Sequence, residues 1–236
     1  MQIEAWKLTL GEMVRDMMRS PEMERYFSVR LTKPRAQLMI QQHSHYVRHR
    51  RDCWGYLSGN CPVFPIKRRI MEHEYEEMIK DEFSDHGHLE LVIRQGAALG
   101  LMPEEITNGE PLPTTLATIY GGYWLICHKT WVEGLAAMTT PEWNNDDRLL
   151  AEQGGGHSSR MAKKWQDELG LTWKDMPNYN AHRQADEKHS DMFLPFLAEF
   201  AVGEKETLAL KAAKQALDLF KVYRLGIAVA MEQIRL

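Results

Sequence analysis

His182, Asp186 and His189 stand in a His-x3-Asp-x2-His arrangement inside a stretch of helical character. At about 100° per residue, steps of four and then three put all three side chains on one stripe of a helix. Two imidazoles and a carboxylate facing one way make half of a transition-metal site. The competing reading is a solvated helical face, because the neighbours Arg183, Gln184, Glu187 and Lys188 are polar.

One helix cannot surround a pair of metal ions. Two iron ions bring at least four positive charges, which carboxylates offset and bridge while imidazoles fill the remaining positions. The first place to look for more ligands is Ile70 to Leu101, which is dense in Glu, Asp and His. His88 opens an apolar run containing Leu91, Val92 and Leu99. Glu77 and Asp81, eleven and seven residues before it, lie within about 20° of its direction on a straight helix. Eleven residues rise about 16 Å, so Glu77 and His88 can share a site only if the helix breaks. Phe83 to Gly87 is weakly helical and could hold that break. Asp81 suits an unbroken helix, and Asp85 repeats the Asp-x2-His pairing with His88. An exposed charged helix is the alternative for this whole acidic run. The second place is Glu142, just after Pro141, with Glu152 and His157 as competitors beyond it. An acid after a proline also suits an ordinary helix N-terminus.

These residues need helices to present them, and helical spacing dominates the chain. In the last segment Ala213, Leu217, Phe220, Tyr223, Ile227, Met231 and Ile234 recur at threes and fours. The expected helices are 9–19, 33–56, 65–83, 86–100, 113–140, 143–169, 178–200 and 204–235, with glycine and proline at the breaks and Pro195 interrupting the seventh. The expectation is one all-α domain over 1–236, a bundle of seven or eight helices.

Composition excludes several classes. The net charge of −4 gives no general attraction to nucleic acid. The basic cluster Arg48, His49, Arg50 and Arg51 reads as a solvated face, with a substrate carboxylate as a lesser alternative for its arginines. Cys53, Cys61 and Cys127 are odd in number and lack zinc spacing, so they read as reduced thiols. Trp124, Trp131 and Trp143 read as core, although Trp143 beside Glu142 could line a pocket. Neither a signal peptide nor a membrane span is indicated, and a cytoplasmic location is expected.

The order of these elements resembles a known family. A carboxylate helix, His88 before an ALGL ending, Glu133-GLAAMTTP-Glu142, and then His182-x3-Asp186-x2-His189 is similar to the heme-oxygenase-like di-iron oxidases and oxygenases, relatives of thiaminase and pyrroloquinoline-quinone synthase. The likeness spans about residues 30–235. It implies a heme-oxygenase-like bundle and iron ligands at Glu77, His88, Glu142, His182, Asp186 and His189, with Asp81 as the alternative to Glu77. If the register slides over the inserted run at 144–156, Glu152 replaces Glu142. The resemblance further implies two Fe2+ ions, O2 as co-substrate and a small-molecule substrate, first an amino acid or amine and second a fatty acid. No catalytic group beyond the metal ligands is implied, and a homodimer and an external electron donor are its possible partners. Two other readings stay open. One is a cofactor-independent relative of the thiaminase or quinone-forming kind, with histidines as acid–base groups. The other is a non-catalytic helical binding protein.

Overall fold

In the computed structural model the described residues are 1–235, and the side chains described are all of these except 183–189. Among them the chain forms twelve α-helices and three short 3-10 turns, with no strand. That corrects the expected seven or eight helices, and each extra helix has a local cause.

Two short helices carry too little periodic pattern to be read from sequence. They are α2 (Pro21–Ser28) and α6 (Pro103–Thr107), and a proline starts each. Preceding α2, α1 runs over Ile3–Met18, and α3 is the long helix Lys33–Asn60. Helix α4 (Phe64–Met78) ends five residues before the expected 83. A loop follows, then α5 (His88–Ala98). The expected 113–140 helix is two helices, α7 (Pro113–Cys127) and α8 (Trp131–Thr139). Thr130 restarts the chain as an N-cap. Its side chain accepts from the Glu133 amide while the Glu133 carboxylate accepts from the Thr130 amide at 3.0 Å.

The expected 143–169 helix is also corrected. Thr140 Oγ1 donates to the Ala136 carbonyl at 2.7 Å, and Pro141 has no amide to continue the ladder. The backbone therefore tightens into a 3-10 turn over Thr140–Asn145. Glycines 154–156 follow, and α9 begins only at His157 (His157–Leu169). Near the end, α10 (Pro177–Asp191) and α11 (Leu194–Phe200) are separated just before Pro195, as that proline requires. Helix α12 (Glu204–Gln233) closes the bundle and packs on α1, α2, α3, α7 and α8. Its buried Ala213, Leu217, Phe220, Tyr223, Ile227 and Met231 are the periodic stripe seen in the sequence. They join Trp6, Trp54, Trp143 and Trp165 in one core. No helix among the described residues is long and apolar enough to cross a membrane.

Candidate metal centre

The loop between α4 and α5 does the positioning that a straight helix cannot. Glu77 ends α4 and His88 opens α5, and both are buried. The loop folds back so tightly that a β-carbon built on Gly87 would sit 2.2 Å from the Met78 carbonyl oxygen. Only glycine fits there. His88 Nδ1 thereby lies 2.9 Å from Glu77 Oε2. Asp81 holds the loop in shape. Its Oδ1 accepts from the amides of Phe83 and Ser84 at 2.7 and 2.6 Å. Its Oδ2 stays 3.7 Å from His88 Nε2.

Glu77, His88, Glu142 and His182 line one internal cavity of about 60 Å3. They arrive from four separate segments: α4, α5, the Thr140–Asn145 turn and α10. Asp81 lies beside His88 but is not part of the cavity wall. Asp85 is exposed. Glu152 is exposed as well and faces Arg19 at 3.7 Å, so Glu142 is the acid of that region that reaches the cavity. His157 also reaches the wall. Asp186 and His189, expected with His182, lie outside the described side chains.

The opposite wall comes from α3, where His43, Tyr46, Val47, Arg50 and Arg51 recur at helical spacing along one stripe. This overturns the reading of the Arg48–Arg51 cluster as a solvated face. Arg50 is buried and donates to the Met138 carbonyl at 2.8 Å and to the Glu142 carboxylate. Arg51 spans Glu74 at 3.0 Å and Glu77 at 2.8 Å. His43, Tyr46, Asn178, Tyr179 and Arg224 were not singled out from sequence. The signal for the first two was present as the i, i+3, i+4, i+7 stripe from His43 to Arg50. Trp143 is buried in the core beneath the turn and does not line the cavity.

Electrostatics divides the histidines. Burial alone would lower the His88 pKa, but the Glu77 and Asp81 carboxylates outweigh it and hold the ring at about 9. Burial, and then the nearby His88, push His182 down to about 4. His182 is therefore neutral near pH 7. Its Nδ1–H donates to the Asn178 carbonyl at 2.9 Å, which leaves the lone pair on Nε2. An imidazole fixed in its tautomer by a carbonyl is the usual arrangement of a metal-binding histidine. The His182 and His88 rings are 4.3 Å apart. Burial opposes ionisation of Glu142, yet Arg50 holds its carboxyl below the usual range. Thus the Glu142 carboxylate, Glu77 in its contacts with Arg51 and His88, one neutral imidazole and one charged imidazole face a shared space. Among the described residues no three His, Cys, Asp or Glu side chains are already drawn into a ready ligand set. The carboxylates hold Arg50 and Arg51 instead. The donor types nonetheless fit iron, which takes mixed imidazole and carboxylate ligands. An open cleft of about 520 Å3 adjoins the cavity, with Val47, Arg51 and Glu77 in both walls.

Comparison with known proteins gives a family and a fold. Residues 37–221 match the sequence model of a family described as iron-containing redox enzyme. No curated protein matches the chain by sequence. One similar solved structure is a domain of unknown function with a heme oxygenase-like fold from Shewanella denitrificans OS217, 18% identical, with a TM-score of 0.76 over 98% of this chain and 94% of that one. Another is a CADD-like protein of unknown function from Nostoc punctiforme PCC 73102, 13% identical, with a TM-score of 0.75 over 97% of each chain. A TenA homologue from P. horikoshii OT3 is 12% identical, with a TM-score of 0.65 over 96% of this chain and all of that one. At these identities the likeness shows the fold, which is heme-oxygenase-like.

Proposed function

The chain belongs to the family of iron-containing redox enzymes, and on that premise we propose that it is a non-heme di-iron enzyme that uses O2 to oxidise a small organic substrate. The observation that carries this reading is the convergence of Glu77, His88, Glu142 and His182 on one buried cavity from four segments. If Asp186 and His189 join it, as their spacing from His182 in the sequence suggests, the set would be three carboxylates and three imidazoles, enough for two irons. When bound, the irons would supply the electrons that activate O2.

The rest of the work belongs to this chain. His182 offers Nε2, because Asn178 keeps the proton on Nδ1. His88 must give up a proton before either ring nitrogen can coordinate. Arg50 keeps Glu142 ionised and Arg51 holds Glu77 in an ion pair, and both arginines would be left to neutral or anionic partners once the carboxylates turn to metal. The buried walls exclude bulk water, which limits side reactions of an oxidising centre. An amino acid or amine is the first substrate class and a fatty acid the second.

The test is anaerobic loading with ferrous iron, followed by exposure to O2 with and without candidate amino acids. Oxygen uptake and a transient visible band that depends on iron are expected. Full turnover of a substrate in the presence of a chelator would instead favour the cofactor-independent relatives. Absence of both oxygen uptake and turnover would favour a binding protein.

A further inference from the structure

Arg224 is a buried cation whose charge has no described counterpart. It sits on α12, one turn after Phe220, and is 4% exposed. Both other arginines in the cavity wall are ion-paired, Arg50 with Glu142 and Arg51 with Glu74 and Glu77. Among the described residues no carboxylate comes within ion-pair distance of Arg224. Its surroundings are aromatic and neutral. The guanidinium carbon lies 5.1, 4.8 and 4.9 Å from the ring centres of Tyr26, Phe220 and Tyr223. Nη1 donates to the Tyr26 hydroxyl at 3.0 Å, while the buried Nε–H has no hydrogen-bond partner.

A fully desolvated cation normally recovers its lost hydration from an anion. The rings recover part of it through their electron-rich faces and also fix the plane of the fork. They cannot accept the remaining N–H groups. His43 and His157, which share the cavity wall, are neutral and add no competing charge, and the charged His88 already faces Glu77 and Asp81. The free space of about 60 Å3 is the volume of roughly two waters, enough for a carboxylate group. A second recess of about 30 Å3, lined by Leu125, Ile126, Ala137 and Met138, shares Tyr46, Arg50, Pro141 and Phe220 with the cavity and gives it an apolar extension for a methyl-sized group.

We propose that Arg224 is the anchor for the carboxylate of the substrate, a monocarboxylic acid with a compact apolar body, held by the guanidinium fork in the wall of the cavity. This deepens the functional reading above and rests on it, since the cavity is the one assigned to iron. Arg224 sets which end of the substrate enters and how it is turned. It is a specificity residue.

The test uses the full chain, metal-free and after anaerobic iron loading, with acetate and propionate as probes and acetamide and propanamide as their neutral counterparts. Binding is read by calorimetry and by thermal shift. The expected result is that a carboxylate binds the metal-free chain at least tenfold more tightly than its amide. Arg224→Met should lose that preference, and Arg224→Lys, which keeps the cation without the fork, should weaken it about tenfold. Circular dichroism checks the fold of both variants, and the carboxylate-to-amide comparison in the unaltered chain needs no variant. No preference for carboxylates in that chain, or an undiminished preference in Arg224→Met, overturns the proposal. Carboxylate binding that appears only with iron and survives Arg224→Met overturns it too, because the anion then binds metal. A chain that takes no iron yet prefers carboxylates through Arg224 leaves this inference standing and removes the iron reading.

Discussion

Glu77 and His88 are eleven residues apart, and their side chains meet at 2.9 Å. A continuous helix would have put about 16 Å between them along its axis. The reversal at Gly87 removes that distance and brings α4 and α5 to the same wall. The whole cavity depends on this loop.

Gly87→Ala should therefore damage the site from a distance. The added methyl meets backbone at Met78, which cannot yield as a side chain does. A loss of about 1–3 kcal/mol is expected, typical of overpacking. Thermal unfolding reads the stability, and iron titration should show weaker uptake. A variant as stable as the parent, with unchanged uptake, would mean the loop adapts freely.

The sequence left both Glu77 and Asp81 open, with the resemblance favouring Glu77, and their contacts differ. Asp81 spends Oδ1 on two loop amides and stands outside the cavity wall. Asp81→Asn keeps that acceptor oxygen and should keep iron stoichiometry. Glu77→Gln should lower it by at least one iron per chain. Metal analysis after gel filtration decides between them, and the reverse pattern would make Asp81 the ligand.

Much of the fold was legible in the sequence, because helical periodicity survives wherever an amphipathic face is long. The α12 stripe and the α3 span show this. The breaks were harder. The Thr130 cap and the 3-10 turn at Thr140–Asn145 are set by a few local hydrogen bonds that leave no periodic trace. In the site, Glu142 and His182 stood out by residue type and spacing. Arg50 and Arg51 were misread because four basic residues in a row look solvated, and only the packing of α3 against the Glu77 and Glu142 segments shows where they point. Arg224 was silent for a related reason. It falls within an apolar stripe of α12, where an arginine ordinarily reads as a surface residue.

Arg50 and Glu142 form a buried pair, so breaking it from one side should cost more than deleting it. Glu142→Gln leaves Arg50 without its counter-charge and should destabilise the metal-free chain by about 3 kcal/mol. Adding Arg50→Met should restore most of that stability and none of the iron uptake. Denaturant unfolding of the three variants checks the first point and metal analysis the second. Equal stability for the single and double variants would show that the pair is not coupled.

The metal-free chain should weaken in mild acid. Burial, and then the nearby Arg224, push His43 and His157 well below the ordinary histidine pKa. The unfolded chain therefore binds more protons than the folded one as pH falls below about 6.5. The contribution of these two rings is full above that value and is lost below it, by up to about 1.4 kcal/mol per pH unit for each ring, until the folded pKa is reached; His182, held at about 4, adds to the same decline, whereas the His88 contribution runs the other way and is full only below that value. Thermal midpoints should decline from pH 6.5 to 5, and less steeply in His157→Gln. A flat profile would mean that neither ring is held neutral.

The most direct test of the central claim is an iron count. The chain is loaded anaerobically with excess ferrous iron, freed of unbound metal and assayed for iron per polypeptide, beside His88→Ala and His182→Ala. The account predicts two irons per chain in the parent and clear losses in both variants. A parent that retains no iron, or variants that each still hold two, would contradict it.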